Sequence, residues 1–171
     1  MVLRRQAPTS GRSSAQTLPI YSASAARALR ITEFMANELP IRVLIVDDNH
    51  DAVDLLDELL TMQGYVTGTA YDGFMALDAA LAFEPHIIIL DLGMPRFTGD
   101  EVAPMLRQVR KLEHVFIIAL TAWGDSKTRA LTSRTGFDLH LTKPFDAPEL
   151  FAALERASAS VRRALSPPNA A

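Results

Sequence analysis

Five polar residues stand at the downstream ends of apolar runs, and their types suit one kind of chemistry. Asp47 and Asp48 follow Ile41–Val46, and Asp91 follows Ile87-Ile88-Ile89-Leu90. Thr121 follows Val115–Leu120, and Lys143 lies just beyond Leu139–Leu141. Brought together, these residues would set three carboxylates on one spot. Two unit charges about 4 Å apart repel by roughly 4 kcal/mol at an effective dielectric near 20, so an opposing charge is needed. A hard divalent cation supplies it, and Mg2+ suits one or two carboxylates together with phosphate oxygens and waters. Lys143 adds a second positive charge, and Thr121 offers a hydroxyl donor.

Each residue alone has an ordinary structural explanation. An Asp-Asp pair after a strand can cap a helix, and Asp91 can sit in a turn with Gly93 and Pro95. Thr121 can be a strand-end hydroxyl, and Lys143-Pro144 a solvated turn. The set, and the elements behind it, argue for a site. The segments Ile41–Val46, Tyr65–Ala70, His86–Leu90, Val115–Leu120 and Leu139–Leu141 read as strands. Between them, Ala52–Met62 carries a helical stripe of Val53, Leu56, Leu59 and Leu60, with Asn49 as N-cap and Gly64 as stop. Gly73–Phe83 reads as a helix with Phe74, Leu77 and Leu81 on its apolar face. Gly99–Lys111 is helical, with Pro104 restricting its first turns. Ser126–Thr135 is a short polar helix closed by Gly136. The last helix runs from Asp146 to about Leu165, with Leu150, Phe151, Leu154 and Val161 apolar, and Pro167-Pro168 stops it.

Strands alternating with helices imply βαβ units and a parallel sheet. The expected fold is α/β, a flavodoxin-like (βα)5 doubly wound sheet in the order 2-1-3-4-5. Neighbouring strands lie about 4.8 Å apart. In such sheets ligands bind beyond the carboxyl ends of the strands. The first and third strands are neighbours in this order, so Asp47, Asp48 and Asp91 converge.

Composition narrows the alternatives. The 171 residues include no cysteine, which removes disulfides, zinc–thiolate sites and thiol catalysis. A reducing, cytoplasmic setting fits. Residues 1–34 hold five arginines and one acid, Glu33, whereas residues 35–171 carry a net charge of −7. The folded part is acidic, so no nucleic-acid partner is expected. Nothing is apolar for the roughly 18 residues of a membrane span, so no membrane association is expected. Residues 1–39, rich in Ser, Ala and Arg at their start, read as a disordered extension. Met35, directly before the first strand, is an alternative start, a reading that a native mass retaining residues 1–34 would exclude.

Four motifs together resemble the receiver domain of two-component response regulators. They are Val43-Leu44-Ile45-Val46-Asp47-Asp48-Asn49, Asp91-Leu92-Gly93-Met94-Pro95 with Gly99, Leu120-Thr121-Ala122, and Leu141-Thr142-Lys143-Pro144-Phe145. The resemblance covers about residues 40–160, with residues 161–171 as the end of the last helix and a short tail. It implies that Asp91 accepts a phosphoryl group from a phosphohistidine on a sensor histidine kinase or a histidine phosphotransfer protein. It implies Mg2+ held by Asp48, Asp91 and the Gly93 carbonyl, with Asp47 acting through water. Lys143 would pair with the phosphoryl oxygens, and Thr121 and the Ala122 amide would turn toward them. It also implies a cis Lys143-Pro144 bond. Such a domain catalyses only its own phosphorylation and dephosphorylation and is not otherwise an enzyme.

Two departures from the family's pattern stand out. His140 stands where Tyr or Phe often reports the switch, and reads either as a surface imidazole or as a group that swings with Thr121 and makes the output pH-sensitive. Gly93 and Trp123 flank the path of the hydrolytic water, so the phosphoryl lifetime is open. No DNA-binding output domain is read after Leu165, so either a downstream protein target or a role as relay or phosphate sink is expected. The fourth helix, fifth strand and fifth helix, with Lys127, Arg129, Arg134 and Glu155, form the expected docking or homodimer face. The main alternative is a degenerate receiver that binds protein without phosphorylation. A haloacid-dehalogenase-type hydrolase is disfavoured because Gly93 stands where its second acid belongs. A flavodoxin-like FMN site is disfavoured because Asp47-Asp48 would repel the phosphate.

Overall fold

The computed structural model describes residues 40–122 and 136–166. Five parallel strands lie in the order β2-β1-β3-β4-β5, as the sequence pattern predicts. They are β1 (Arg42–Val46), β2 (Val66–Ala70), β3 (Ile87–Asp91), β4 (Phe116–Ala122) and β5 (Leu139–Lys143). Four helices are described: α1 (His50–Met62), α2 (Gly73–Phe83), α3 (Gly99–Gln108) and α4 (Ala147–Leu165). The predicted helix Ser126–Thr135 lies outside the described residues, as do the extension to residue 39, Trp123, and Lys127, Arg129 and Arg134 of the expected docking face.

The sheet is covered on both sides because its central strands carry apolar side chains on both faces. Side chains alternate along a strand, so β1 sends Val43 and Ile45 to one face and Leu44 and Val46 to the other. One core joins Val43, Ile45, Ile87 and Ile89 to Val53, Leu56 and Leu60 of α1 and Leu150, Leu154 and Val161 of α4. The opposite core joins Leu44, Val46, Ile88 and Leu90 to Ala76 and Ala80 of α2 and Val102, Ala103 and Leu106 of α3. Each fully buried aliphatic side chain contributes about 1.5–3 kcal/mol.

The helix starts follow local capping chemistry. The Asn49 side chain accepts from the Ala52 N–H, and the Asp72 side chain from the Met75 N–H. Reciprocal capping boxes open α3 (Thr98 with Glu101) and α4 (Asp146 with Glu149). Gly64, at φ +85°, turns the chain from α1 into β2.

Three local expectations change. Of the three residues expected on the apolar face of α2, Leu77 is half-buried against the core, but Phe74 and Leu81 are turned outward, at 68% and 41% exposure, while Gly73, Ala76 and Ala80 are buried. Small residues let this helix lie close to its neighbours; a Cβ on Gly73 would come 2.5 Å from Phe97 Cδ1. Helix α3 ends at Gln108 rather than Lys111, because Val109 is extended and lets Leu112 drop into the core. Pro104 is its sixth residue, within the first two turns. Finally, β4 and β5 run on through Thr121 and Lys143, so these residues belong to the strands themselves.

At the end of the sheet opposite the acids, Arg107 fastens α3 to two strands. Its guanidinium donates to the carbonyls of Glu113, Val115 and Gly136 and pairs with Asp138 at 2.7 Å. Asp138 in turn accepts from the Ile117 N–H at 2.7 Å. Arg107→Ala is therefore expected to destabilise the protein by about 2 kcal/mol in urea unfolding.

His86 Nδ1 accepts from the Arg42 N–H at 3.1 Å. Burial first, and the Arg42 charge second, hold the His86 pKa below the ordinary value of 6.5. The folded state thus prefers the neutral ring. Its contribution is complete above pH 6.5 and is lost as the pH falls below that value. Stability should therefore decline on acidification through this range, and His86→Asn should decline less steeply, as measured by urea titrations at stepped pH.

Candidate functional site

The parallel register brings the predicted acids to one edge. Val46 of β1 pairs with Leu90 of β3, so the next residues, Asp47 and Asp91, leave adjacent strand ends. Asp91 pairs with Leu120 of β4, and Ala122 pairs with Lys143 of β5. Asp47 and Asp91 are buried, at 2% and 7% exposure. Asp48 is exposed beside them. Carboxylate oxygens of Asp47, Asp48 and Asp91 all lie within 4.8 Å of one another.

Lys143 closes the cluster. Its Nζ donates to Asp47 Oδ2 and to Asp91 Oδ1, each at 2.7 Å. Burial pulls the Lys143 pKa down, but the hydrogen bonds and charges of the two aspartates outweigh it and carry it above the ordinary value. Burial dominates at Asp91 and, with the Asp47 charge, raises its pKa despite Lys143 and the Gly93 N–H. Three carboxylates against one ammonium leave the cluster short of positive charge.

The backbone around Asp91 is held as tightly as its side chain. The Gly93 N–H donates to Asp91 Oδ2 at 2.8 Å, and the Leu92 N–H to the Leu120 carbonyl at 3.0 Å. Met94, 2% exposed, anchors the loop in the core. A Cβ on Gly99 would come 2.5 Å from the Asp91 carbonyl oxygen, so only glycine lets α3 begin there. At Asp47, Oδ1 accepts from the Asn49 N–H at 2.9 Å. The Lys143-Pro144 bond is cis.

The response regulator receiver domain model matches residues 43–155. The chain belongs to the response-regulator receiver family. The solved structures it resembles include the chemotaxis protein CheY4 of Vibrio cholerae, at 29% identity and a TM-score of 0.67 over 70% of this chain and 99% of that one. Another is the receiver domain of a signal transduction histidine kinase from Syntrophus aciditrophicus, at 27% identity and a TM-score of 0.66, over 76% of this chain and 98% of that one. A third is NtrX of Brucella abortus, at 26% identity and a TM-score of 0.67, where the match covers 74% of this chain and 28% of the longer partner.

The remaining predicted residues of this receiver are placed as follows. Thr121 is buried at 8% exposure near the end of β4, and Ala122 is exposed beyond it. His140 is half-buried rather than superficial, with its ring 6.0 Å from that of Phe137. It pairs in register with Ala119, two positions before Thr121 pairs with Thr142. Alternation therefore sets His140 and Thr121 on the same face of adjacent strands. Two supports went unread in the sequence: Met94 as the loop's anchor and Phe97, which stacks on Phe74 at 4.8 Å between centroids. An apolar residue inside a polar loop was the available signal for both.

Removing Lys143 should leave two buried carboxylates facing each other. In the metal-free protein, Lys143→Met is expected to lower stability by about 3 kcal/mol. Adding Asp91→Asn to that variant should recover part of the loss, which a double-mutant cycle in urea and EDTA would measure.

Proposed function

We propose that this receiver takes a phosphoryl group onto Asp91 and so switches a protein-interaction surface. The observation that carries the reading is the buried Asp91 carboxylate, held by Lys143 and the Gly93 N–H within a cluster of acids. An Asp91 oxygen forms the new P–O bond as the P–N bond of a partner's phosphohistidine breaks, and the electron pair of that bond returns to the imidazole. The donor is a sensor histidine kinase or a histidine phosphotransfer protein.

The donor set is all oxygen and carries excess negative charge, which fits Mg2+. Asp48, Asp91 and the Gly93 carbonyl would hold the ion, with Asp47 through water. When bound, Mg2+ supplies positive charge against the phosphoryl oxygens. Lys143 supplies the same from the protein side and orients Asp91. Thr121 and the Ala122 amide then turn toward the phosphoryl group. His140 shares the face of Thr121 and moves with it, carrying the change to β5. Retention of every acid, Thr121 and Lys143 favours this reading over a phosphorylation-independent binding module.

Acetyl phosphate with Mg2+ should add one phosphoryl mass to the wild-type chain and none to Asp91→Ala, by intact mass. Without Mg2+ the gain should be absent. No gain in any folded sample would sink the proposal. For the switch, His140→Phe should flatten the dependence of partner affinity on pH between 6 and 8; an unchanged dependence would remove His140 from the mechanism.

A further inference from the structure

The outward face of α2 is an apolar feature of this receiver that the acceptor chemistry leaves unused. Phe74, Met75 and Leu81 are 68%, 45% and 41% exposed, and Met105 across on α3 is 39% exposed. Between the helices lies a groove of about 140 Å³, lined by Phe74, Leu77, Asp78, Phe97, Val102 and Met105. A cavity of about 150 Å³ takes a benzene molecule, so this one suits a single large apolar side chain. Scattered exposed apolar residues are normal, but a continuous patch with a hollow marks a binding surface. Flexible Met105, which lines the groove, suits such a surface because a thioether chain adapts to what it meets.

The charges around the groove select the occupant. From Asp72 to Phe83 the chain has no Lys, Arg or His, and Asp78 lines the groove itself. Helix α3 opens with Asp100 and Glu101. The basic residue of α3, Arg107, is committed to Asp138 and to backbone carbonyls. At the far end Lys111 is paired with Glu84 at 2.8 Å. Arg96, next to Phe97, is the neighbouring cation in the loop. A second copy of this chain would set these acids against their own kind, which disfavours a symmetric contact. The spacing of Phe74, Leu77 and Leu81, at i, i+3 and i+7, is that of a helix surface that receives another helix.

We infer that the α2–α3 groove docks an amphipathic helix of a partner protein, apolar on the side that enters the groove and basic along its flanks. One large side chain of that helix fills the hollow beside Phe97. Its Lys or Arg residues face Asp78 and the acids that open α3. The surface is separate from the expected docking face on β5 and the last helix.

The full chain would be titrated with a synthetic helical peptide of roughly 15 residues, with Leu at i, i+3, i+4 and i+7 and Lys on both flanks. A matched peptide carries Glu in place of Lys. Calorimetry would give affinity, and amide shifts of isotope-labelled protein would give location. The Lys peptide should bind saturably, with shifts centred on Phe74, Leu77 and Met105. The Glu peptide should bind at least about tenfold more weakly, and Phe74→Ala and Asp78→Lys should each weaken the Lys peptide by about tenfold with melting temperature unchanged. Equal binding of the two peptides, shifts centred elsewhere, indifference to Phe74→Ala or absence of saturation would each overturn the inference. So would sedimentation showing a dimer that Phe74→Ala abolishes, because the occupant would then be a second copy.

Discussion

The Lys143 ammonium is the interaction on which the functional edge of this receiver depends. It bridges two buried carboxylates that belong to different strands, with 2.7 Å to each. Taking a carboxylate out of water is expensive unless the charge is paired and hydrogen-bonded. Asp47 and Asp91 are both buried, so one cation answers for two anions. That fixes geometry as well as charge. Lys143 stands at the end of β5, Asp91 at the end of β3 and Asp47 just past β1, so the bridge reaches across β4. The strand order is therefore a condition for the site.

The same economy of space governs the loop after β3. Asp91 keeps its orientation because the chain around it has almost no freedom. Gly93 donates to its side chain, Met94 is buried, and Gly99 lies against its carbonyl. A side chain at position 99 would push α3 away from the acceptor. Glycine at position 73 does similar work for α2, which lies directly beneath Phe97. Small residues on the inward face of α2 leave Phe74, Met75 and Leu81 outside.

How much of this was legible in the sequence differs by kind of feature. The apolar runs of β1 and β3 announce buried parallel strands because both faces of such strands are covered. Asp47, Asp48, Asp91 and Lys143 were legible because each lies at a strand's carboxyl end, where an open α/β sheet places its ligands. The α2 face misled because Phe74, Leu77 and Leu81 satisfy helical periodicity as well as a core face would. Periodicity reports that a face exists and is silent on which way it points; here Gly73, Ala76 and Ala80 decided it by close packing. The Arg107–Asp138 tie was illegible for another reason. It joins residues 31 positions apart through backbone carbonyls, and no spacing rule describes such a contact.

The acceptor and the apolar groove share one piece of chain. Phe97 forms the wall of the groove and lies six residues after Asp91, with the buried Met94 and the close-packed Gly99 on either side of it. A loop pinned at both ends has few arrangements open to it. A change at Asp91 that shifts the loop must move Phe97 or break its stack on Phe74. Coupling between two sites is reciprocal in free energy. An occupant of the groove whose affinity depended on the state of Asp91 would bias that state in return. The short loop after β3 thus joins the groove between α2 and α3 to the carboxylate at the sheet edge.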